Sequence, residues 1–178
     1  MSVLLAVMVL LTLAHFIYES ILAPSFRLKI RYEALALRDE LRLLKMQRGG
    51  TLDDKHYEYL QDSINTMISN LARFDVATLG LSGRVYNRDL EFRVRVDERA
   101  RLLEDCTLPE ARSLRRRNVV LVERAILVNS GMLVAPLVPF VLMGVGLSAL
   151  KQRIRKLASL SEPDFKRVSC PEWSASVG

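Results

Sequence analysis

Thr12, His15 and Glu19 place a hydroxyl, an imidazole and a carboxylate in an otherwise apolar N-terminal segment. They stand at i, i+3 and i+7 inside an apolar stretch from Val3 to Ala23, so a helix presents all three on one face. Polar and ionisable groups at membrane depth are costly and face a bundle interior or a water-filled path. Asn129 and Ser130, followed by Gly131, make a second polar notch in a second apolar stretch, Ala125 to Leu150. One reading makes Thr12, His15 and Glu19 pore-lining, supported by Asn129 and Ser130. The other has the same groups hydrogen-bonding between helices to hold an oligomer together. Glu19 has a third option, snorkelling or pairing with Arg124. Two spans per subunit cannot enclose a channel, so a pore requires several copies.

The second constellation is cationic. Arg93, Arg95, Arg99 and Arg101 lie close together, and Arg112, Arg115, Arg116 and Arg117 follow. Guanidinium groups meet phosphates bidentately, and a ring of subunits would multiply each arginine around an axis, suiting a bound polyanion. These eight are the candidate ligand-binding residues. The competing reading is lipid contact plus pairing with Glu98, Glu104 and Asp105.

Catalytic signatures are missing. The chain has no Gly-rich phosphate loop, no paired-His metal motif and no nucleophile elbow. Its two histidines are His15, in the apolar stretch, and His56, beside Lys55 and Tyr57. Cys106 and Cys170 stand apart from any Cys/His cluster, which argues against a disulfide framework. Neither an enzyme nor a metal or cofactor is expected.

The segregation of the apolar residues sets the architecture that holds these side chains. Of 178 residues, 50% are apolar and 26% charged, with a net charge of +6. Each apolar stretch has the length a helix needs to cross a hydrocarbon core of about 30 Å. No Lys or Arg precedes Arg27, and no small-x-small site is clear before Pro24, so an uncleaved anchor is expected rather than a signal peptide. Four parts result: a first transmembrane helix over 1–24, a cytosolic helical domain over 25–124, a second transmembrane helix over 125–150, and a basic tail over 151–178 that is expected to be loosely ordered from 157 onward. Arg27, Lys29, Arg31 and Arg38 follow the first stretch. By the positive-inside bias the N-terminus then faces outward and the middle domain lies in the cytoplasm. A full second crossing places the tail outside; a re-entrant turn at Pro136–Pro139 would keep both flanks inside.

The middle domain reads as all-α. Ile30, Ala34, Leu37, Leu41 and Leu44 form one stripe, and Tyr57, Leu60, Ile64, Met67, Leu71 and Phe74 another. Gly49-Gly50 between them implies an antiparallel hairpin, with Thr51–Asp54 as a capping box. Gly80 and Gly83 are expected to break the chain. The segment from Leu90 fits helix or strand, and helix is favoured because a strand would lack a partner. Thr107-Leu108-Pro109-Glu110 signals a helix start. No breaker then occurs before Pro136, so the last helix should enter the membrane as one rod.

This layout, apolar Val3–Ala23, an arginine-rich helical insert and apolar Ala125–Leu150, resembles the small two-span membrane effectors of bacterial phage-defence systems. The basic helical insert resembles in particular the Hailong type, a membrane channel held shut by single-stranded DNA. The resemblance is architectural and carries no residue roles. It implies a cytosolic part that senses a nucleotide or oligonucleotide and a membrane part that permeabilises the cell. The leading expectation is a homo-oligomeric channel of the bacterial inner membrane, gated through its helical domain by a polyanion. The alternative is a non-conducting scaffold whose hairpin recruits a cytosolic protein partner.

Overall fold

A computed structural model describes residues 2–47, 52–131 and 147–169. Among the described residues the chain is all-helical. Helix α1 (Ser2–Ile17) runs through a π-helical turn (Tyr18–Leu22) into α2 (Ala23–Gln47). The wide turn has a cause in the sequence. Pro24 lacks an N–H and its ring crowds the carbonyl one turn back. The Ala23 N–H instead reaches Tyr18 O, five residues back, and the widened turn carries the helix past the proline. The apolar N-terminal helix and α2 thus form one rod of 46 residues, Ser2–Gln47.

The N-terminal part of that rod is long and apolar enough to cross a membrane. An 18-residue window has a mean hydropathy of 2.0 and none of it is buried. Val3, Leu4, Leu5, Leu10 and Phe16 all stand exposed. From Ile30 onward the same rod buries Ile30, Ala34, Leu37, Leu41 and Leu44.

The rest is a bundle around one core. Helix α3 (Asp54–Asn70) contributes Leu60, Ile64 and Met67, and a 3-10 turn (Leu71–Arg73) adds Leu71. Helices α4 (Val76–Arg88) and α5 (Leu90–Glu104) follow, each started by an aspartate cap: Asp75 accepts from Thr78 N and Asp89 from Phe92 N. Helix α6 (Pro109–Asn129) lies antiparallel to α2. Arg27 meets Asn129, Glu33 meets Arg124, and Glu40 meets Arg117, so the register reverses along the pair. Helices α7 (Leu147–Ala158) and α8 (Glu162–Ser169) close the bundle.

Several sequence expectations are corrected. Gly80 and Gly83 do not break the chain; both lie inside α4. The Thr107 side chain does not cap α6, whose N-cap is Leu108; the Thr107 carbonyl accepts from Arg112 instead. The α6 rod does not continue beyond Asn129, because Ser130 ends it and Gly131 takes a left-handed φ of +68°. Arg124 pairs with Glu33, not with Glu19.

The largest correction concerns the tail. Residues 151–169 are not loose: Ile154, Leu157, Phe165 and Val168 are buried in the same core as α2 and α6. Phe165 stacks on Phe74 with ring centroids 4.5 Å apart. A buried polar relay fixes α7 further: Asn118 Nδ2 donates to Ser63 Oγ at 2.9 Å, and Ser63 Oγ to the Ala158 carbonyl. The centre of the expected second span lies outside the described residues. Its two flanks are held in one bundle, with Ala125 and Ile126 buried on one side and Leu150 packed against the core on the other.

Candidate functional site

Two regions of the bundle concentrate the polar chemistry. The first is a cavity of about 620 Å³ between α5, α6 and α7. Its charged lining comprises Arg101, Arg115, Lys151, Arg155 and Lys156 against Asp97 and Glu104, a formal excess of three positive charges. Two of the cations are matched: Arg115 reaches Glu104 at 3.2 Å, and Lys156 reaches Asp97 at 2.9 Å. Arg101, Lys151 and Arg155 have no carboxylate within ion-pair distance among the described residues.

Local folding explains the collection. Lys151 and Arg155 are four residues apart on α7, so they share a face. The adjoining face carries Ile154, Leu157 and Ala158 into the core, and the cations line the cavity beside it. Burial, and to a smaller degree nearby Arg155, push Arg115 below an arginine's ordinary value, against the pull of Glu104. A cation crowded by another cation in a half-buried cleft is a setting in which a bound anion is stabilising.

Lys156 marks one wall. Its Nζ donates to Tyr86 Oη at 2.6 Å and lies 4.0 Å from the Tyr86 ring centroid, while Tyr86 Oη donates to Asp97 at 2.7 Å. Burial alone would raise the Asp97 carboxyl; hydrogen bonds from Lys156 and Tyr86 outweigh it and hold Asp97 below its ordinary value. Burial likewise disfavours charged Lys156, and the bonds to Tyr86 and Asp97 override it upward.

Of the eight arginines singled out by sequence, the cavity takes Arg101 and Arg115. The others go elsewhere. Arg93 lies over the Tyr86 ring, and Arg95 reaches Asp164 at 3.4 Å. Arg99 binds Asp62 at 2.6 Å and covers Tyr59. Arg112 donates to the Thr107 carbonyl, Arg117 to Glu40, and Arg116 is exposed. The cations that the sequence reading missed, Lys151, Arg155 and Lys156, carried a usable signal in their spacing. Assigning them to a tail hid it.

The second region is the junction between the membrane-length helix and the end of α6. Arg27 Nε donates to Asn129 Oδ1 at 2.7 Å. Asn129 Nδ2 donates to the carbonyls of Leu71 at 2.6 Å and Phe74 at 3.0 Å. Ser130 Oγ accepts from Val76 N at 3.1 Å, and Tyr18 Oη donates to the Val128 carbonyl at 3.1 Å. Asn129 and Ser130 therefore serve as a clamp within this chain. Glu19 reaches the same place: its Oε1 lies 3.1 Å from where a Cβ on Gly131 would stand. Thr12, exposed, back-bonds to the Met8 carbonyl at 2.8 Å, and His15 is half-buried. The structure thus gathers Glu19, Asn129 and Ser130 and leaves Thr12 and His15 further along α1.

Among the described residues no group of three His, Cys, Asp or Glu side chains converges to hold a metal. Set against known protein families, curated proteins and solved structures, the chain matches none.

Proposed function

We propose that the protein is a membrane effector of the bacterial inner membrane: a homo-oligomeric ion channel whose helical domain lies in the cytoplasm and is controlled by a polyanion. The observation that carries this reading is the placement of the basic cavity and the junction on one helix. Arg115 lines the cavity and Asn129 forms the clamp, both on α6 and roughly 21 Å apart along it at 1.5 Å per residue. An anion drawn between α6 and α7 would shift helices that are bonded, through Asn129 and Arg27, to the rod that enters the bilayer. Thr12, His15 and Glu19 face the conduit in this reading.

Self-association has its own support. Helix α2 carries a second apolar stripe, Leu28, Tyr32, Ala36, Leu43 and Met46, all exposed. At about 100° per residue these fall within roughly 80° of one another, opposite the face that bears Leu37 and Leu41. Asp39 interrupts the stripe and is paired with Arg38 and Arg42 on its own helix. A helix apolar on two faces buries one in its own bundle and offers the other to a second copy. The stripe is continuous with the exposed α1, so subunits meeting along it would bring their membrane helices together.

The test is ion flux from liposomes holding the purified full chain, with and without inorganic polyphosphate. The reading expects a flux that polyphosphate alters. A bilayer that stays tight under both conditions removes it.

A further inference from the structure

Helix α6 carries an outward ridge of its own. Pro109, Ser113, Arg116, Val120 and Leu127 are all exposed. At about 100° per residue they fall within roughly 60° of one another, opposite the face that buries Asn118, Val122 and Ala125. Like the α2 stripe, the ridge is spaced for a helix–helix seam. The Glu33–Arg124 and Glu40–Arg117 pairs lie between ridge and stripe, so the two do not touch within one chain.

The two surfaces match along their length. Arg27 meets Asn129, Glu33 meets Arg124 and Glu40 meets Arg117. Those pairs put Leu28 level with Leu127, Ala36 with Val120, and Met46 with Pro109, apolar against apolar. Leu43 stands level with the small Ser113. Asp39, the acid that interrupts the stripe, stands level with Arg116, which has no carboxylate within ion-pair distance among the described residues. Asp39 reaches Arg38 and Arg42 only at 3.8 and 3.7 Å. Charge-assisted hydrogen bonds run at about 2.7–2.9 Å, so Asp39 can take a closer guanidinium.

We propose that the α2 stripe of one copy docks on the α6 ridge of the next, head-to-tail. The proposal rests on the self-association reading above and deepens it by naming the partner surface. Rods entering one bilayer hold their junctions at one depth, so the levels found within a chain also hold between neighbours. Each copy offers its stripe to one neighbour and its ridge to the other, and a contact of that kind repeats until a ring closes. Because the neighbour's α6 runs antiparallel to α2, the neighbour's own α2 runs parallel to it. Every rod then leaves the ring at the same end.

The test is disulfide trapping of the full chain in detergent, in a Cys106→Ala, Cys170→Ala background. Ala36→Cys and Val120→Cys both change exposed positions. Co-expressed, these two variants should form a disulfide-linked pair, since a disulfide needs Cα atoms within about 7 Å. Neither variant alone should do so, and the double variant should form linked species larger than a dimer. A linked pair from Ala36→Cys alone overturns the proposal in favour of stripe meeting stripe. A double variant that stops at the dimer overturns the head-to-tail order. An assembly of unchanged mass without linkage overturns this contact and leaves self-association standing. A chain that is monomeric before oxidation removes the self-association reading itself.

Discussion

Arg27 and Asn129, 102 positions apart in sequence, meet through a 2.7 Å hydrogen bond that joins the membrane-length helix to the end of α6. Asn129 simultaneously donates to the Leu71 and Phe74 carbonyls, so one side chain holds three segments of chain. Asn129→Leu is expected to leave those two carbonyls and the Arg27 guanidinium without their partner, at a cost of roughly 1–3 kcal/mol. Thermal unfolding in detergent checks this, with Asn129→Leu melting below Arg27→Met, because Arg27→Met leaves both carbonyl bonds in place.

The core seam of α2 should be as sensitive as any position in the bundle. Leu41 is fully buried and Leu37 is 1% exposed. Leu41→Ala is expected to destabilise by about 2–5 kcal/mol, the sum of lost transfer energy and the cavity left behind. Denaturant titration reads it. Leu43→Ala, two residues on but 52% exposed, should cost far less in the dissociated chain.

The outward stripe gives a different prediction. Leu43→Asp with Met46→Asp should leave the subunit folded and lower the oligomer's mass to that of a smaller species, because a charge at a buried subunit contact is left unpaired. Mass photometry in detergent distinguishes this from an unchanged assembly, which would place the contact elsewhere.

Acid should expose the Asp97–Lys156–Tyr86 cluster. Asp97 is held below its ordinary value of 3.8, so its contribution is complete above about pH 4 and fades as the pH falls through its lower folded value. Lys156 is held above 10.5, so its contribution is complete below that and fades as the pH rises through its higher folded value. Asp97→Asn is expected to lower Tm at pH 7, and the gap to the unsubstituted protein should close in acid. Melting curves over a pH series test the sign.

Much of the bundle was legible in the sequence. The stripes Ile30–Leu44 and Leu60–Phe74 are core, and the segment from Leu90 is helix, because four-and-three spacing reports burial directly. The α2–α6 pairing was not legible, since its ion pairs join residues up to 91 positions apart, as Glu33 and Arg124 show. Gly80 and Gly83 misled because a glycine costs a helix little when tertiary packing holds it. The charge pattern of Lys151 to Lys156 suits a membrane flank as well as a cavity wall, and the burial of Ile154 and Leu157 that sets these cations beside the cavity cannot be read from their spacing. Asn129 and Ser130 read as membrane polar groups because the residues around them are apolar. Their bonds to Arg27, Leu71, Phe74 and Val76 depend on contacts that no local spacing encodes.

The central claim is that an anion in the basic cavity acts on the membrane rod through the Arg27–Asn129 junction. Arg27→Met is the most direct probe, since Arg27 lies outside the cavity and its loss leaves the lining intact. Polyphosphate binding and liposome flux should be measured on the same preparation. Arg27→Met is expected to keep the affinity unchanged and to give a flux that no longer responds to polyphosphate. A flux response equal to that of the unsubstituted chain would contradict it.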